Sequence, residues 1–167
     1  MRGGSKGGRS PSLGVEKKNI GIILERKSKG VKMGEKLTKE TFNRFAKENG
    51  IKYFTFYEFV KEEEEGFIDS NLVLKLEKLR EAVGFKLIIT SGFRSEKKNK
   101  EVGGAKDSLH LKGLAVDIAI ENISPSVLYQ LIKNAFMIRF TGIIVYPKHV
   151  HLDLRSLDFF GIGSYNK

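Results

Sequence analysis

His149-Val150-His151-Leu152-Asp153-Leu154-Arg155 reads as a β-strand with two chemically opposed faces. Val150, Leu152 and Leu154 alternate with His149, His151, Asp153 and Arg155, the period of two that a pleated strand imposes on its side chains. One face is apolar and belongs in a core. The other lines up two imidazoles, a carboxylate and a guanidinium, where an ordinary surface strand would more often carry Thr, Lys, Glu and Ser. The third and last histidine lies upstream in Ser108-Leu109-His110-Leu111-Lys112-Gly113-Leu114-Ala115-Val116-Asp117. Two imidazoles and one carboxylate are the protein ligands of a catalytic zinc, which keeps a fourth position open. The small residues Gly113 and Ala115 let the backbone carrying His110 fold tightly against a strand carrying Asp117, so that both converge on an ion with His151.

The surrounding sequence predicts the rest of an α+β domain. Residues 37–50 read as a short helix capped by Thr38 and stopped by Gly50, and Lys52 to Phe59 as a strand or an aromatic packing segment. Glu62 to Glu65 reads as a solvated turn. Asp69 and Ser70 cap a helix whose face runs through Leu72, Leu76, Leu79 and Val83 and ends at Gly84. A strand from Lys86 to Thr90 runs into Ser91-Gly92-Phe93-Arg94-Ser95, then a polar loop, His110 in a loop, and the strand Leu114 to Ile120 bearing Asp117. Ser124-Pro125 opens a helix with an apolar face of Leu128, Leu131, Ile132 and Ala135. The strand Thr141 to Tyr146 and the histidine strand flank Pro147-Lys148, the signature of a tight hairpin. Helices with a mainly antiparallel sheet define α+β as the expected class.

Composition narrows the chemistry. The chain of 167 residues has no cysteine, which excludes disulfides, cysteine-ligated zinc and the Cys-x-x-Cys motif of zinc deaminases. No apolar run approaches the roughly 20 residues of a membrane span, and the N-terminus lacks the apolar stretch of a secretory signal; synthesis in the cytoplasm without a signal peptide is the expectation. Residues 1–36 hold about ten Lys/Arg against three Glu, near +7 of the formal +10, and about eight glycines. Such a segment buries too little surface to offset its ordering entropy. It reads as a flexible basic arm, interrupted by a strand at Ile20 to Leu24, preceding a domain over 37–167. Its charge suits an anionic polymer, nucleic acid or an acidic partner protein.

The motifs Ser-x-His-x-x-Gly-x-Ala-x-Asp, Ser-Gly-Phe-Arg-Ser and a terminal Val-His-x-Asp strand resemble the zinc D-alanyl-D-alanine carboxypeptidase family. That family includes murein endopeptidases and phage L-alanyl-D-glutamate endolysins and shares the fold of the Hedgehog signalling domain. The likeness spans roughly residues 52–156, including Val102-Gly103-Gly104-Ala105, and leaves out the arm. It implies one Zn2+ held by His110, Asp117 and His151, with Arg94 binding a substrate carboxylate or carbonyl oxygen and Ser108 near the substrate. Many relatives place a general-base Glu shortly before the last histidine ligand; here Tyr146, Pro147 and Lys148 occupy that stretch. Carboxypeptidase-like members use a histidine two positions before the ligand, which corresponds to His149, and Asp153 is the rival. The implied activity is hydrolysis of D-amino-acid-containing peptide bonds in peptidoglycan, by a phage-released or virion-associated wall hydrolase. The alternative is a zinc-binding module serving as a structural or binding component of a particle.

Overall fold

A computed structural model of the chain describes residues 34–61, 65–120 and 123–156, together with the backbone of 161–164. The basic arm up to residue 33, with its expected strand at 20–24, lies outside the described residues, as do 62–64 of the acidic turn. The ordered fold takes in the last residues that the sequence assigns to the arm. Strand β1 (Lys36–Leu37) pairs antiparallel with β2 (Ile68–Asp69), and the Ser70 N–H donates to the Glu35 carbonyl.

Helices form where caps and apolar spacing coincide. Helix α1 (Lys39–Asn49) follows Thr38, whose N–H donates to Thr41 Oγ1, and ends at Gly50 in the left-handed conformation. Lys52 to Phe59 is not a strand. Its aromatic spacing closes one turn of helix, α2 (Phe56–Phe59), that puts Phe56 and Phe59 against Phe42, while the Phe54 ring packs tilted against Phe59 at 5.5 Å. Helix α3 (Ser70–Val83) starts at Asp69, whose carboxylate accepts from the N–H groups of Asn71 and Leu72, so two of the amide groups a helix start leaves unpaired are satisfied. Glu77 on the same helix is buried and accepts from the Lys52 and Tyr53 N–H groups, which ties the segment after α1 to α3.

The main sheet has the order β3-β4-β6-β5-β7, from β3 (Ile89–Ser91), β4 (Ala115–Ala119), β5 (Gly142–Val145), β6 (His149–Asp153) and β7 (Gly161–Ser164). All its pairings are antiparallel except β5 with β7. Strand β3 is shorter than its apolar run suggests: β4 ends at Ala119, whose N–H donates to the Ile88 carbonyl at the end of the ladder. The polar loop after Arg94 contains a further helix, α4 (Glu96–Glu101), started by Ser95 Oγ accepting from the Lys98 N–H. Helix α5 (Pro125–Met137) begins as its Ser-Pro pair predicts. Val116 and Ile118 of β4, Val150 and Leu152 of β6 and Ile143 of β5 pack with Leu72, Leu76 and Leu79 of α3 and Leu131 and Ala135 of α5. Each such aliphatic side chain, wholly withdrawn from water, contributes about 1.5–3 kcal/mol. That core fixes the strand register, so the opposite sheet face presents a defined row of polar groups. Among the described residues no helix is long and apolar enough to cross a membrane.

Candidate metal centre

Register alone brings two of the three expected ligands together. Asp117 on β4 lies directly opposite His151 on β6, and Ile144 of β5 lies on the far side of His151. His110 arrives from outside the sheet, on a 3-10 turn (Leu109–Lys112) closed by Gly113 at φ 64°, rather than on an open loop. The result is a compact triangle. His110 Nε2 is 3.3 Å from Asp117 Oδ1 and 3.2 Å from His151 Nδ1, and Asp117 Oδ1 is 2.8 Å from His151 Nδ1. For ligands about 2.0–2.1 Å from a tetrahedral zinc, the edge between two donors is about 3.3–3.4 Å. The triangle is slightly tighter than that, so a metal needs only a small expansion of side chains already in place.

The outward nitrogens are committed, which frees the inward ones. His110 Nδ1–H donates to the Gly92 carbonyl at 2.6 Å, leaving the Nε2 lone pair facing the triangle. His151 Nε2–H donates to Asp153 Oδ2 at 3.0 Å, leaving Nδ1. A carboxylate or carbonyl behind a ligating imidazole sets the tautomer and raises the basicity of the ligand nitrogen. Burial works against the charge of Asp117, yet where the inward nitrogens of His110 and His151 carry protons in place of a metal, their hydrogen bonds hold its carboxyl far below the usual range. For His151 burial opposes protonation, but the two carboxylates flanking it, Asp117 and Asp153, push its pKa up. Positive charge is therefore favoured on this ring between the two carboxylates. The donor set fits a zinc-type ion, with His110, Asp117 and His151 as the group able to hold it.

The remaining expected site residues surround this triangle. Arg94 donates through Nη2 to Asp117 Oδ2, the oxygen turned away from the imidazoles, and through Nε to Ser91 Oγ at 2.7 Å. His149 is half-buried, with Nε2 3.8 Å from Asp117 Oδ1 and its ring stacked on Tyr146 at 4.5 Å; burial lowers its pKa. Ser108 precedes the 3-10 turn, its carbonyl accepting from the Leu111 N–H. Asp153 stands behind His151 and is wholly buried. Arg155 donates to both its oxygens, and with His151 these bonds overcome burial and keep the carboxyl ionised. Sequence reasoning missed the Gly92 carbonyl, the Tyr146 stack and the pairing of Asp153 with Arg155. The last had a visible signal, since 151, 153 and 155 share one strand face.

Two histidines and an aspartate drawn to one point on an α+β scaffold form a group that could hold a metal ion. The sequence profile of the family described as Peptidase M15 matches residues 52–153, more than half of the chain, and the chain belongs to this family of zinc-dependent metallopeptidases. That agrees with the resemblance carried by the motifs and includes every residue of the triangle. Comparison with curated proteins gives no match.

Proposed function

We propose that this protein is a zinc peptidase that hydrolyses D-amino-acid-containing peptide bonds of peptidoglycan. The observation that carries the reading is the triangle of His110, Asp117 and His151 with both outward nitrogens already held, beside the guanidinium of Arg94. When bound, zinc supplies Lewis acidity, polarising a carbonyl and making water nucleophilic near neutral pH. The chain's own residues do the rest. His149, held against Tyr146, takes a proton at Nε2 during attack and returns it to the leaving amine. Arg94 offers its fork to a substrate carboxylate or to the developing oxyanion. Asp153 holds His151 and is assigned no proton transfer, because both its oxygens are engaged. Ser108 borders the substrate. The basic arm serves to retain the enzyme on anionic wall polymer, as suits a wall hydrolase released by or carried on a phage particle.

A second reading, a zinc-binding module without turnover, is favoured by one feature: the stretch Tyr146-Pro147-Lys148 offers no carboxylate. Digestion of purified peptidoglycan by the zinc-loaded protein and by His151→Ala, with mass spectrometry of the products, separates the two. The peptidase releases defined muropeptides that the variant does not. Stoichiometric zinc with no release overturns the peptidase and supports the module.

A further inference from the structure

Asp153 occupies a seat built by three strands. Its neighbours across the sheet are Gly142 on β5 and Ala115 on β4. A Cβ at Gly142 would lie 2.2 Å from Asp153 Oδ1, so the carboxylate rests where any side chain would displace it. Arg155 chelates that carboxylate: Nε donates to Oδ1 at 2.9 Å, Nη2 to Oδ2, and the backbone N–H to Oδ1 at 3.0 Å. Arg155 is itself fixed, since its carbonyl accepts from Thr141 Oγ1 at 2.7 Å, while the Thr141 N–H donates to the Asp153 carbonyl. A planar guanidinium gripping both oxygens sets the plane of a carboxylate, as a single lysine charge does not.

We propose that Arg155 and Gly142 are positioning residues for the metal ligand His151. They orient Asp153 so that Oδ2 receives His151 Nε2–H, which obliges His151 to bind metal through Nδ1. An unrestrained imidazole can ligate through either nitrogen; here the seat makes the choice, two side chains away from the ion. The inference rests on the reading that the triangle holds zinc.

The test uses the zinc-loaded full chain, with nitrogen NMR of the imidazoles and chelator-competition measurement of zinc affinity. Wild type is expected to coordinate through His110 Nε2 and His151 Nδ1; coordination through His151 Nε2 overturns the proposal. Arg155→Gln is expected to weaken zinc binding about 10-fold, the lower end of the cost of removing a group directly behind a ligand, because it acts through Asp153, with Arg155→Lys intermediate. Gly142→Ala is expected to weaken it from the opposite strand, which keeps the test decisive if Arg155→Gln does not fold. Affinity within about twofold of wild type in either folded variant, with His151 still bound through Nδ1, overturns the proposal. Zinc bound as expected but no muropeptide release refutes the peptidase reading and leaves the seat standing; a wild type that takes up no zinc refutes both.

Discussion

Gly92→Ala is a one-methyl change that should disturb the centre through the backbone. A Cβ at residue 92 would sit 2.4 Å from the Phe59 carbonyl oxygen and 2.8 Å from the Phe59 Cα, both backbone atoms at the end of α2. Ordinary contacts begin near 3.4 Å, so the two segments must separate by nearly 1 Å. They are clamped by the Phe93 N–H donating to Phe59 O at 2.8 Å, and residue 92 by His110 Nδ1 on its carbonyl at 2.6 Å. Overpacking of this kind costs about 1–3 kcal/mol, and weakening one hydrogen bond adds about 1 kcal/mol. A loss of about 2–4 kcal/mol lowers Tm by roughly 4 °C per kcal/mol in a domain of this size. Thermal denaturation of the metal-free protein should therefore show a fall of about 8–16 °C on that scaling. Because the Gly92 carbonyl fixes the His110 tautomer, zinc affinity should fall about 10–100-fold as well. A variant with Tm within 2–3 °C of wild type (about 0.5 kcal/mol on the same scale) and unchanged zinc affinity would refute both the packing argument and the anchoring of His110.

Arg94→Lys keeps a positive charge near Asp117 but loses the fork; zinc affinity should stay within several-fold while muropeptide release falls by about 100-fold or more, about 2.7 kcal/mol of transition-state binding. Steady-state rates on the loaded enzyme check this. Asp69→Ala should destabilise α3 by about 1 kcal/mol, whereas Asp69→Asn, which keeps an acceptor for the Asn71 and Leu72 N–H groups, should change stability by a few tenths. Burial pushes the Asp69 carboxyl up, so in wild type its contribution declines as pH rises above the ordinary carboxylate value, and that slope should vanish in Asp69→Asn; urea titrations from pH 3.5 to 7 test it. Leu76→Ala, at a fully buried α3 position, should cost about 2–5 kcal/mol by denaturant melting, with little effect on zinc affinity because the core lies on the far sheet face.

Much of this architecture can be read from local pattern, and what resists reading depends on partners distant in sequence. The alternation from His149 to Arg155 yields β6 and its two faces, and the caps at Thr38, Asp69 and Ser124 yield α1, α3 and α5. Helix α4 is hidden because six residues with one buried side chain, Asn99, make no apolar stripe. Lys52 to Phe59 leaves a strand and an aromatic packing segment both open, and the packing of its rings against Phe42 selects the second. At the centre, the pattern puts Asp153 on the His151 face but is silent on whether it points at the substrate or supports the ligand. The hydrogen bond from His151 to Asp153 is seen only in the fold, where the room left at Gly142 and the grip of Arg155 surround the carboxylate. The role of Gly92 is likewise invisible, since it arises from a carbonyl and the approach of Phe59.

Strands β4 and β6 are neighbours in the sheet but are separated along the chain by α5 and β5. The β5–β6 hairpin is local and can close by itself, whereas its docking on β4 must bridge the whole intervening segment and meets the larger loop-closure cost. During synthesis from the N-terminus, His110 and Asp117 emerge long before His151. Until the hairpin docks, the chain offers an incoming ion two donors seven residues apart, no better than many unfolded segments. The full donor set comes into being only when β6 pairs with β4, so a metal ion that needs all three donors has no complete site before that long-range pairing forms.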